Sequence, residues 1–584
     1  MQAWLQKRLK VLRESFQERE FTMEETVKLL ASRFKDKESK ILVLFSKLKD
    51  EGKIEAKLDP EDSRRRIYRI IDPSSSLQKK GELNQADLHS LLKEAADLIR
   101  TRVDYTFILL LLFFKRMSDK WTADYEIAVQ KVMAEYDLSR EEALKEAEHD
   151  VYHDFSISQR YLWDNIRKDP AKLAENFSKA MKHIAERNPQ LRDIFENFDF
   201  LQFAGNRENQ EILRQLVELF SSHSLQTVAP DMLGDAYEWT LRYFAPQKAK
   251  EGEVYTAREV IKLIVEYLDP QPGETIYDPA CGSGGMLIIS HQHVKEKYGD
   301  DAARKMLLFG QEVNFRTRAL AKMNLYLHSI SNGVIEYGDA ILYPKFKDGD
   351  SFKRFDVVIA NPPWNQNGYD EDTVKRGDFV KERFGFGYGP DQSADWLWIQ
   401  HMLASANEKT GRVGVVIDNG ALFRGGKEKT LRQKMVQHGT IEAVILLPEK
   451  LFYNTGAPGA VVVLRHSRAN HDNRILFINA SKEHEQHSEV RRLNRLNESN
   501  IQRVISGKTS GSIDGFCRPV TIEEIATNDY NLNVTLYVYE QEVPADIDIS
   551  KEWSHLKELD REMSLLNEKL DNELAMLGYN DRIK

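Results

Sequence analysis

Cysteine is nearly absent from this chain, with only Cys281 and Cys517 among 584 residues. The two are far apart, so no C-x-x-C pair exists for a zinc site or for redox chemistry. Cys281 lies in a glycine-rich segment, where we interpret it as a small residue that lines a binding site. The sequence therefore predicts no metal site.

Long apolar runs and a nucleoside triphosphate motif are also missing. The apolar run at residues 108–114 is too short to cross a bilayer and is followed by Lys115 and Arg116, so we predict a buried helix there. No secretory leader opens the chain, which favours a cytoplasmic protein. The pattern G-x-x-x-x-G-K-[ST] does not occur, which argues against a site for ATP.

An excess of positive charge is lacking as well. The chain has 83 lysines and arginines against 92 acidic residues, a net charge of −9, and a pI near 6.0. This balance is unfavourable for a protein that binds nucleic acid on its own. If nucleic acid is the substrate, basic residues must cluster locally or a partner must supply part of the binding surface.

Among the segments that are present, the turn formed by Asn361, Pro362, Pro363 and Trp364 is the most informative. It directly follows the apolar run Val357–Ala360. The side-chain oxygen of the asparagine and the carbonyl of the first proline are hydrogen-bond acceptors, and the prolines restrict the turn. The tryptophan offers a flat face for stacking. The turn thus predicts a site that binds the exocyclic amino group of a planar substrate.

A glycine-rich segment lies upstream, at residues 276–287. It has the pattern of a strand, a turn and a helix start, which is typical of the first βα unit of an α/β domain. Glycines allow the backbone to approach a ligand, and a helix N-terminus favours an anion. The spacing differs from the dinucleotide-binding fingerprint. A tight turn without a ligand is the alternative interpretation.

Two later strand-like segments also end in an acid. Glu312 has the position at which a doubly wound nucleotide fold binds the ribose hydroxyls. Asp339 follows the third such segment and suits an adenine amino group. Each acid alone could be a solvated loop residue. Together with Asp278, they form a series of acids at successive strand ends, which favours one nucleoside site.

The order of these motifs resembles that of S-adenosylmethionine-dependent amino-methyltransferases. Further segments narrow the resemblance to the modification (methylase) subunit of type I restriction-modification systems, namely residues 252–260, 421–426, 448–456 and 529–533. The resemblance implies a multidomain α plus α/β protein, with helical N-terminal domains, a Rossmann-like methyltransferase domain and a C-terminal helical tail. It implies methyl transfer to N6 of adenine in DNA, because relatives that act on cytosine N4 commonly carry serine in place of Asn361.

Site residues are also implied by the resemblance. The expected cofactor contacts are Glu253, Val254, Tyr255, Thr256, Ala257, Arg258, Asp278, Ala280, Gly282, Ser283, Gly284, Gly285, Glu312 and Asp339. The expected catalytic residues are Asn361, Pro362, Pro363, Trp364 and Phe452. Phe452 and Trp364 are expected to stack on the two faces of a flipped adenine. Independently of the resemblance, Thr256 is a candidate N-cap for the amphipathic helix that follows it.

The implied partners are double-stranded DNA, a specificity subunit that selects the site, and a restriction subunit, with two methylase copies in each complex. Alternative substrates with an amino group are RNA, a protein glutamine and cytosine N4. A catalytically silent assembly subunit is a further alternative, although every polar group that the reaction requires is present. No Pro-Cys dipeptide exists for methylation of cytosine at C5.

The domain organisation follows from shifts in composition and periodicity. We expect a winged-helix-like domain (1–72) with helices at residues 23–34 and 38–51, a linker (73–82), a helical domain (83–245) with a helix at residues 107–121, a methyltransferase domain (246–480) and a C-terminal extension (481–584). The last segment carries an apolar stripe at three- and four-residue spacing, from Trp553 to Leu577, typical of a helix that docks on another helix. A helix that packs within the chain is the alternative, and the resemblance implies that this helix docks on the specificity subunit.

Overall fold

The computed structural model describes most of residues 83–576 and parts of the first 70. The described residues are 8–9, 11–12, 15–16, 21–34, 41, 44–45, 48, 54–58, 66–70, 83–99, 104–196, 198–250, 256–330, 332–453, 455–466, 473–487, 490–539 and 548–576. They belong to two compact units, Met1–Thr240 and Leu241–Lys584. Each unit is described by itself.

The first unit begins with a small sheet and a helix. The elements are β1 (Phe21–Thr22), α1 (Met23–Phe34), β2 (Ile54–Leu58) and β3 (Arg66–Ile70). The strands are antiparallel, in the order β1-β3-β2. Helix α1 starts where the backbone N–H of Thr22 donates to Glu25 at 2.8 Å, and its span equals the predicted one. Part of the predicted second helix, residues 38–51, lies outside the described residues, and the winged-helix domain stays a prediction.

The rest of the first unit is helical. Its α-helices are α2 (Gln85–Ile99), α3 (Thr106–Tyr136), α4 (Arg140–Glu146), α5 (Trp163–Ile166), α6 (Leu173–Arg187), α7 (Arg192–Phe195), α8 (Phe200–Phe203) and α9 (Arg207–Ser221), and α10 (Pro230–Lys250) follows in the chain. The apolar run at residues 108–114 is fully buried within α3, as expected, and α3 extends well beyond the predicted end at Trp121. Lys115, at the end of this run, pairs with the carboxylate of Asp119. Among the described helices, none is long and apolar enough to cross a membrane.

A nine-stranded sheet organises the second unit. Its strands are β4 (Thr275–Asp278), β5 (Leu307–Glu312), β6 (Gly333–Tyr337), β9 (Val357–Ala360), β10 (Arg412–Asp418), β11 (Ile441–Leu446), β12 (Gly459–Leu464), β13 (Arg474–Asn479) and β16 (Cys517–Thr521). Two short hairpins flank it, β7 (Lys347–Asp348) with β8 (Ser351–Phe352), and β14 (Glu485–Gln486) with β15 (Asn494–Arg495). Strands β4, β5, β6, β9 and β10 are parallel, which matches the expected Rossmann-like class.

The strand order is β16-β13-β11-β12-β10-β9-β4-β5-β6. Strand β12 runs antiparallel to both of its neighbours, β10 and β11. The chain moves outward from β4 to β6 and then returns to β9 on the other side of β4. In open α/β sheets the crevice at such a reversal, at the carboxyl ends of the strands, is where ligands bind. The fold therefore places Asp278, Glu312 and Asn361 at one edge of the sheet.

Helices cover both faces of the sheet, which has a separate hydrophobic core on each face. The helices of this unit are α11 (Arg258–Leu268), α12 (Gly285–Tyr298), α13 (Asp300–Ala303), α14 (Phe315–Leu327), α15 (Glu371–Val374), α16 (Val380–Arg383), α17 (Asp395–Ala404), α18 (Gly426–Gln437), α19 (Glu498–Ser510), α20 (Ile522–Thr527) and α21 (Ile549–Met576). Helix α21 buries none of its residues, and Trp553 and Leu566 are more than half exposed. Leu577, at the end of the predicted stripe, lies outside the described residues.

Candidate active site

The asparagine of the turn makes two hydrogen bonds through its side chain. Asn361 follows β9, and its Nδ2 donates to Oγ1 of Thr256 at 2.8 Å. Nε1 of Trp364 donates to Oδ1 of Asn361 at 2.9 Å. Because an indole nitrogen is only a donor, this contact identifies the amide oxygen and sets the orientation of the amide.

The contact between Thr256 and Asn361 corrects one expectation from the sequence. Thr256 is not the N-cap of the next helix: α11 begins at Arg258, its N-cap residue is Ala257, and no side chain caps it. The threonine hydroxyl is instead the acceptor for a side chain 105 residues away. A local pattern predicted the cap, whereas a long-range contact determines what the hydroxyl does.

Trp364 and Phe452 meet, but not as a sandwich around a base. Their ring centroids are 4.8 Å apart and the ring planes lie at 70°, in an edge-to-face contact. Phe452 is fully buried. The reason is Gly459, at the start of β12: a Cβ there would lie 2.9 Å from the Phe452 ring and 3.0 Å from the Trp364 ring. Without a side chain at this position the rings contact each other, and no base fits between them in this arrangement.

The glycine-rich turn connects β4 to α12 and is held by Glu312. Gly282 and Gly284 have φ angles of +53° and +82°, which favour glycine. The backbone N–H of Gly282 donates to Oε2 of Glu312 at 3.0 Å, and that of Asn314 donates to Oε1 at 2.7 Å. A Cβ at Gly282 would meet no atom within 4 Å, so the turn borders open space. The carbonyl of Ser283 accepts from Asn324 at 3.0 Å.

Asp278, at the end of β4, is a buried carboxyl group, only 2% exposed. Its Oδ1 accepts the backbone N–H of Ala280 at 3.0 Å. Burial raises the pKa of Asp278 to about 8; the Ala280 N–H opposes this rise, and the charge of Glu312 adds to it. At neutral pH the carboxyl is therefore mostly protonated, and a cationic group beside it would favour the carboxylate.

Asp339 has both carboxylate oxygens engaged. Oδ1 accepts the backbone N–H groups of Ile341 and Leu342 at 2.8 and 3.1 Å. Oδ2 accepts the hydroxyl of Tyr369 at 2.9 Å, and burial together with Asp339 raises the pKa of that hydroxyl. Tyr369 lies five residues after Trp364, so it links the third acid to the segment that follows the Asn361 turn. The sequence interpretation did not include Tyr369.

Comparison with known proteins identifies the family. Residues 228–546, more than half of the chain, match the N-6 DNA Methylase family, and residues 88–220 match the HsdM N-terminal domain. The chain belongs to the N-6 DNA methylase family. The expected membership among type I methylase subunits is confirmed, and so are the expected N6-adenine DNA methyltransferase activity and the use of S-adenosylmethionine.

Individual relatives of this methylase cover nearly its whole length. It is 42% identical to the type I restriction enzyme MjaVII methylase subunit of Methanocaldococcus jannaschii, over 97% of this chain and 96% of that protein. It is 40% identical to the MjaVIII methylase subunit of the same organism, over 94% and 93%. A crystal structure of a type I methyltransferase subunit from Streptococcus thermophilus matches with a TM-score of 0.67 and 26% identity, over 78% of this chain and all of that one. Methylase subunits of this kind act in complexes with specificity and restriction subunits and bind DNA.

An ionic cluster beyond the turn was not predicted as part of the methylase site. Asn365, directly after Trp364, has φ +53°, and its backbone N–H donates to Oδ1 of Asp395 at 3.0 Å. Nη2 of Arg424 lies 2.6 Å from Oδ2 of Asp395, and the guanidinium also contacts the side chain of Asn365. Burial raises the pKa of Asp395, while the Asn365 N–H and Arg424 oppose that rise. Residues 421–426 contributed to the family resemblance, but nothing in them indicated the contact of Arg424 with the turn.

The remaining predicted residues of the methylase are distributed as follows. Glu253, Val254 and Tyr255 lie outside the described residues. Nη2 of Arg258 donates to the side chain of Gln292 on α12 at 3.0 Å. Within the turn, Pro362 is buried, Pro363 is exposed and Trp364 is half-buried. In the described part of the chain, no group of three or more histidine, cysteine or acidic side chains is placed to hold a metal ion.

Proposed function

We propose that the turn at Asn361 is where this methylase binds the N6 amino group of a flipped adenine. Oδ1 of Asn361 and the carbonyl of Pro362 accept the two N–H groups of that nitrogen. The observation that carries this proposal is the pair of contacts on the Asn361 amide, because they define Oδ1 as the acceptor. An amide oxygen has two lone pairs, so one stays available beside the bond from Trp364.

These acceptors change the reactivity of the amino group. The lone pair of an aromatic amine is delocalised into the ring, which makes the nitrogen a poor nucleophile. Two hydrogen bonds to Asn361 and Pro362 favour a tetrahedral nitrogen and localise the pair. The protein then contributes position and electrostatics, with no covalent nucleophile. Since an asparagine amide is not a strong base, the proton leaves after methyl transfer.

Stacking of the base is part of the same proposal, and it requires the two rings to separate. Trp364 is half-buried and already hydrogen-bonded to Asn361, so we assign it one face of the adenine. Phe452 is assigned the opposite face, after its loop moves away from Gly459. Stacking repays part of the few kcal/mol spent on extruding the base.

The residues around the glycine-rich turn fit S-adenosylmethionine. The turn borders open space at Gly282, and Asp278 lies buried nearby with a raised pKa. A buried carboxyl in such a crevice suits the α-ammonium group of the cofactor. We assign the ribose hydroxyls to Glu312 and the adenine amino group to Asp339. When bound, the cofactor supplies a methyl group activated by a sulfonium.

The other predicted cofactor contacts join this proposal. Ala280, Ser283, Gly284 and Gly285 form the rest of the turn and the start of α12. We assign Thr256, Ala257 and Arg258 to the side of the cofactor that faces Asn361, because Thr256 contacts that side chain. Glu253, Val254 and Tyr255 are proposed as further cofactor contacts.

The charge of the methylase and its C-terminal helix support a proposal for its assembly. A net charge of −9 is unfavourable for binding DNA alone, so we propose that the specificity subunit supplies part of the DNA surface and selects the site. We propose that α21 docks on that subunit, because its apolar stripe has no partner within the described residues. Two methylase copies per complex, together with a restriction subunit, complete the proposal.

The test is transfer of a tritiated methyl group to unmethylated DNA, with and without the co-expressed specificity subunit, followed by nucleoside analysis. N6-methyladenine is expected, with at least a hundredfold loss of kcat in Asn361→Ala, as for removal of an essential transition-state contact. Asn367→Ala, at an exposed asparagine three residues after Trp364, is the matched control. Retained activity in Asn361→Ala would refute the assignment of the site.

A further inference from the structure

The hairpin β14–β15 leaves the sheet at the same edge as the Asn361 turn. It follows β13, whose last residue, Asn479, pairs with Leu446 at the end of β11. Leu446 also pairs with Ala460 near the start of β12. The loop that carries Phe452 connects these two strands. Both segments therefore emerge at the carboxyl edge, where the crevice for the cofactor and the target base lies.

The hairpin packs directly on the loop that carries Phe452. The backbone N–H of Asn494 donates to the carbonyl of Lys450 at 2.8 Å, and its side chain donates to the carbonyl of Glu449 at 2.9 Å. Tyr453, next to Phe452, forms a small hydrophobic cluster with Leu493 and the partly buried Val490. The hairpin thus contacts residues on both sides of Phe452 in the loop, next to the aromatic pair of the proposed site.

Two adjacent arginines of this hairpin carry exposed positive charge. Arg491 and Arg492 are exposed, and neither has an ion-pair partner among the residues that the structure describes. The two acids among residues 481–487 are paired: Glu485 lies 2.6 Å from Arg495, and Glu483 lies 3.1 Å from Arg503. In a chain with an acidic balance, adjacent free arginines beside the crevice form a local basic surface.

We propose that the hairpin surface of Arg491 and Arg492, together with the exposed Lys450, binds the phosphates of DNA next to the flipped adenine. The inference rests on the proposed function of the Asn361 turn and adds a substrate-binding element to it. Guanidinium groups bind phosphate in a bidentate manner, and phosphate contacts position a duplex without reading its sequence. This role suits a subunit whose target sequence is selected elsewhere.

The experiment compares Arg491→Glu/Arg492→Glu with Arg304→Glu/Lys305→Glu in the complex with the specificity subunit. The control pair is exposed, changes the net charge equally and precedes β5, at the opposite edge of the same sheet. Equilibrium binding of a cognate duplex is measured over a series of salt concentrations, alongside cofactor binding. We expect the slope of log K against log salt to fall by about 2 for the hairpin variant, since each lost phosphate contact removes about 0.9.

Affinity for DNA should fall at least tenfold at low salt in the hairpin variant, with cofactor binding unchanged. Arg491→Gln/Arg492→Gln, which adds no repulsive charge, should give the same loss of slope. Equal slopes in hairpin and control variants would overturn the proposal. The proposal would also be overturned if the hairpin variant released the specificity subunit while the fraction still assembled bound DNA normally, because the surface would then bind protein. Failure of the proposed function is distinguished by retained methyl transfer in Asn361→Ala, which does not depend on the hairpin variants.

Discussion

The hydroxyl of Thr256 offers a sharp test of how the Asn361 amide is held. Thr256→Val preserves the shape of the side chain but removes the one acceptor that the described residues provide for Nδ2 of Asn361, at 2.8 Å. A lost hydrogen bond costs about 0.5–1.5 kcal/mol net, and up to about 3 kcal/mol when the group is left unsatisfied in the interior. Both residues are half-buried, so we expect about 1 kcal/mol, which is about a fivefold loss of kcat.

The assay is steady-state methylation with DNA and cofactor varied independently. A positioning role for Thr256 predicts a lower kcat with little change in KM for the cofactor. A contact of the hydroxyl with the cofactor predicts the reverse, a higher cofactor KM with kcat retained. Thr256→Ser restores the hydroxyl and should restore kcat. Thr410→Val, at an exposed position, is the matched control.

Two results would refute this reasoning. If Thr256→Val has wild-type kcat, the hydrogen bond does not contribute to orientation in the reacting complex. If Thr256→Ser is as impaired as the valine variant, the loss comes from packing of the methyl group rather than from the hydroxyl.

Three further predictions concern stability and the aromatic pair. The folded-state pKa of Asp278, about 8, lies above its unfolded value, so this group stabilises the fold at low pH and loses that effect as pH rises from about 4 to 8. Asp278→Asn should therefore flatten this part of a plot of unfolding free energy against pH. A slope equal to that of the wild type would contradict this prediction. Gly459→Ala places a Cβ within 3.0 Å of both rings and should cost about 1–3 kcal/mol in urea unfolding, with altered tryptophan fluorescence. Wild-type stability and emission would show that the rings move freely. Arg424→Met leaves the Asp395 carboxylate buried without its cation and should lower the free energy of unfolding by about 2–3 kcal/mol. Adding Asp395→Asn to this variant should reduce that loss, and an equal loss in the single and double variants would exclude coupling of the pair.

Local patterns predicted the elements around the site well. Strand, glycine turn and helix at residues 276–287 were evident because periodicity and turn chemistry act within a few residues. Three acids in chain order, ahead of the Asn361 turn, were sufficient to indicate a nucleoside site, since the carboxyl ends of parallel strands meet at one edge. Helix α1 was predicted with its observed bounds for the same local reason.

Contacts between distant residues were missed or predicted incorrectly. Thr256 was expected to cap a helix, yet its hydroxyl binds Asn361. The direct contact between Phe452 and Trp364 was not predicted, because it depends on Gly459, seven residues away, and stacking on a base stays a prediction. Neither the bond from Tyr369 to Asp339 nor the pairing of Arg424 with Asp395 has a signature in sequence spacing.

The sequence by itself determined the class of chemistry and indicated the candidate reacting groups and their order along the chain, because each motif is a short segment whose backbone and side chains act together. Only the tertiary structure decided which of those groups touch. It set the orientation of the Asn361 amide through Thr256 and Trp364, and it placed a basic hairpin beside the Phe452 loop. The physical reason is that these contacts depend on the order of strands in the sheet and on packing at its edge, which no local spacing encodes.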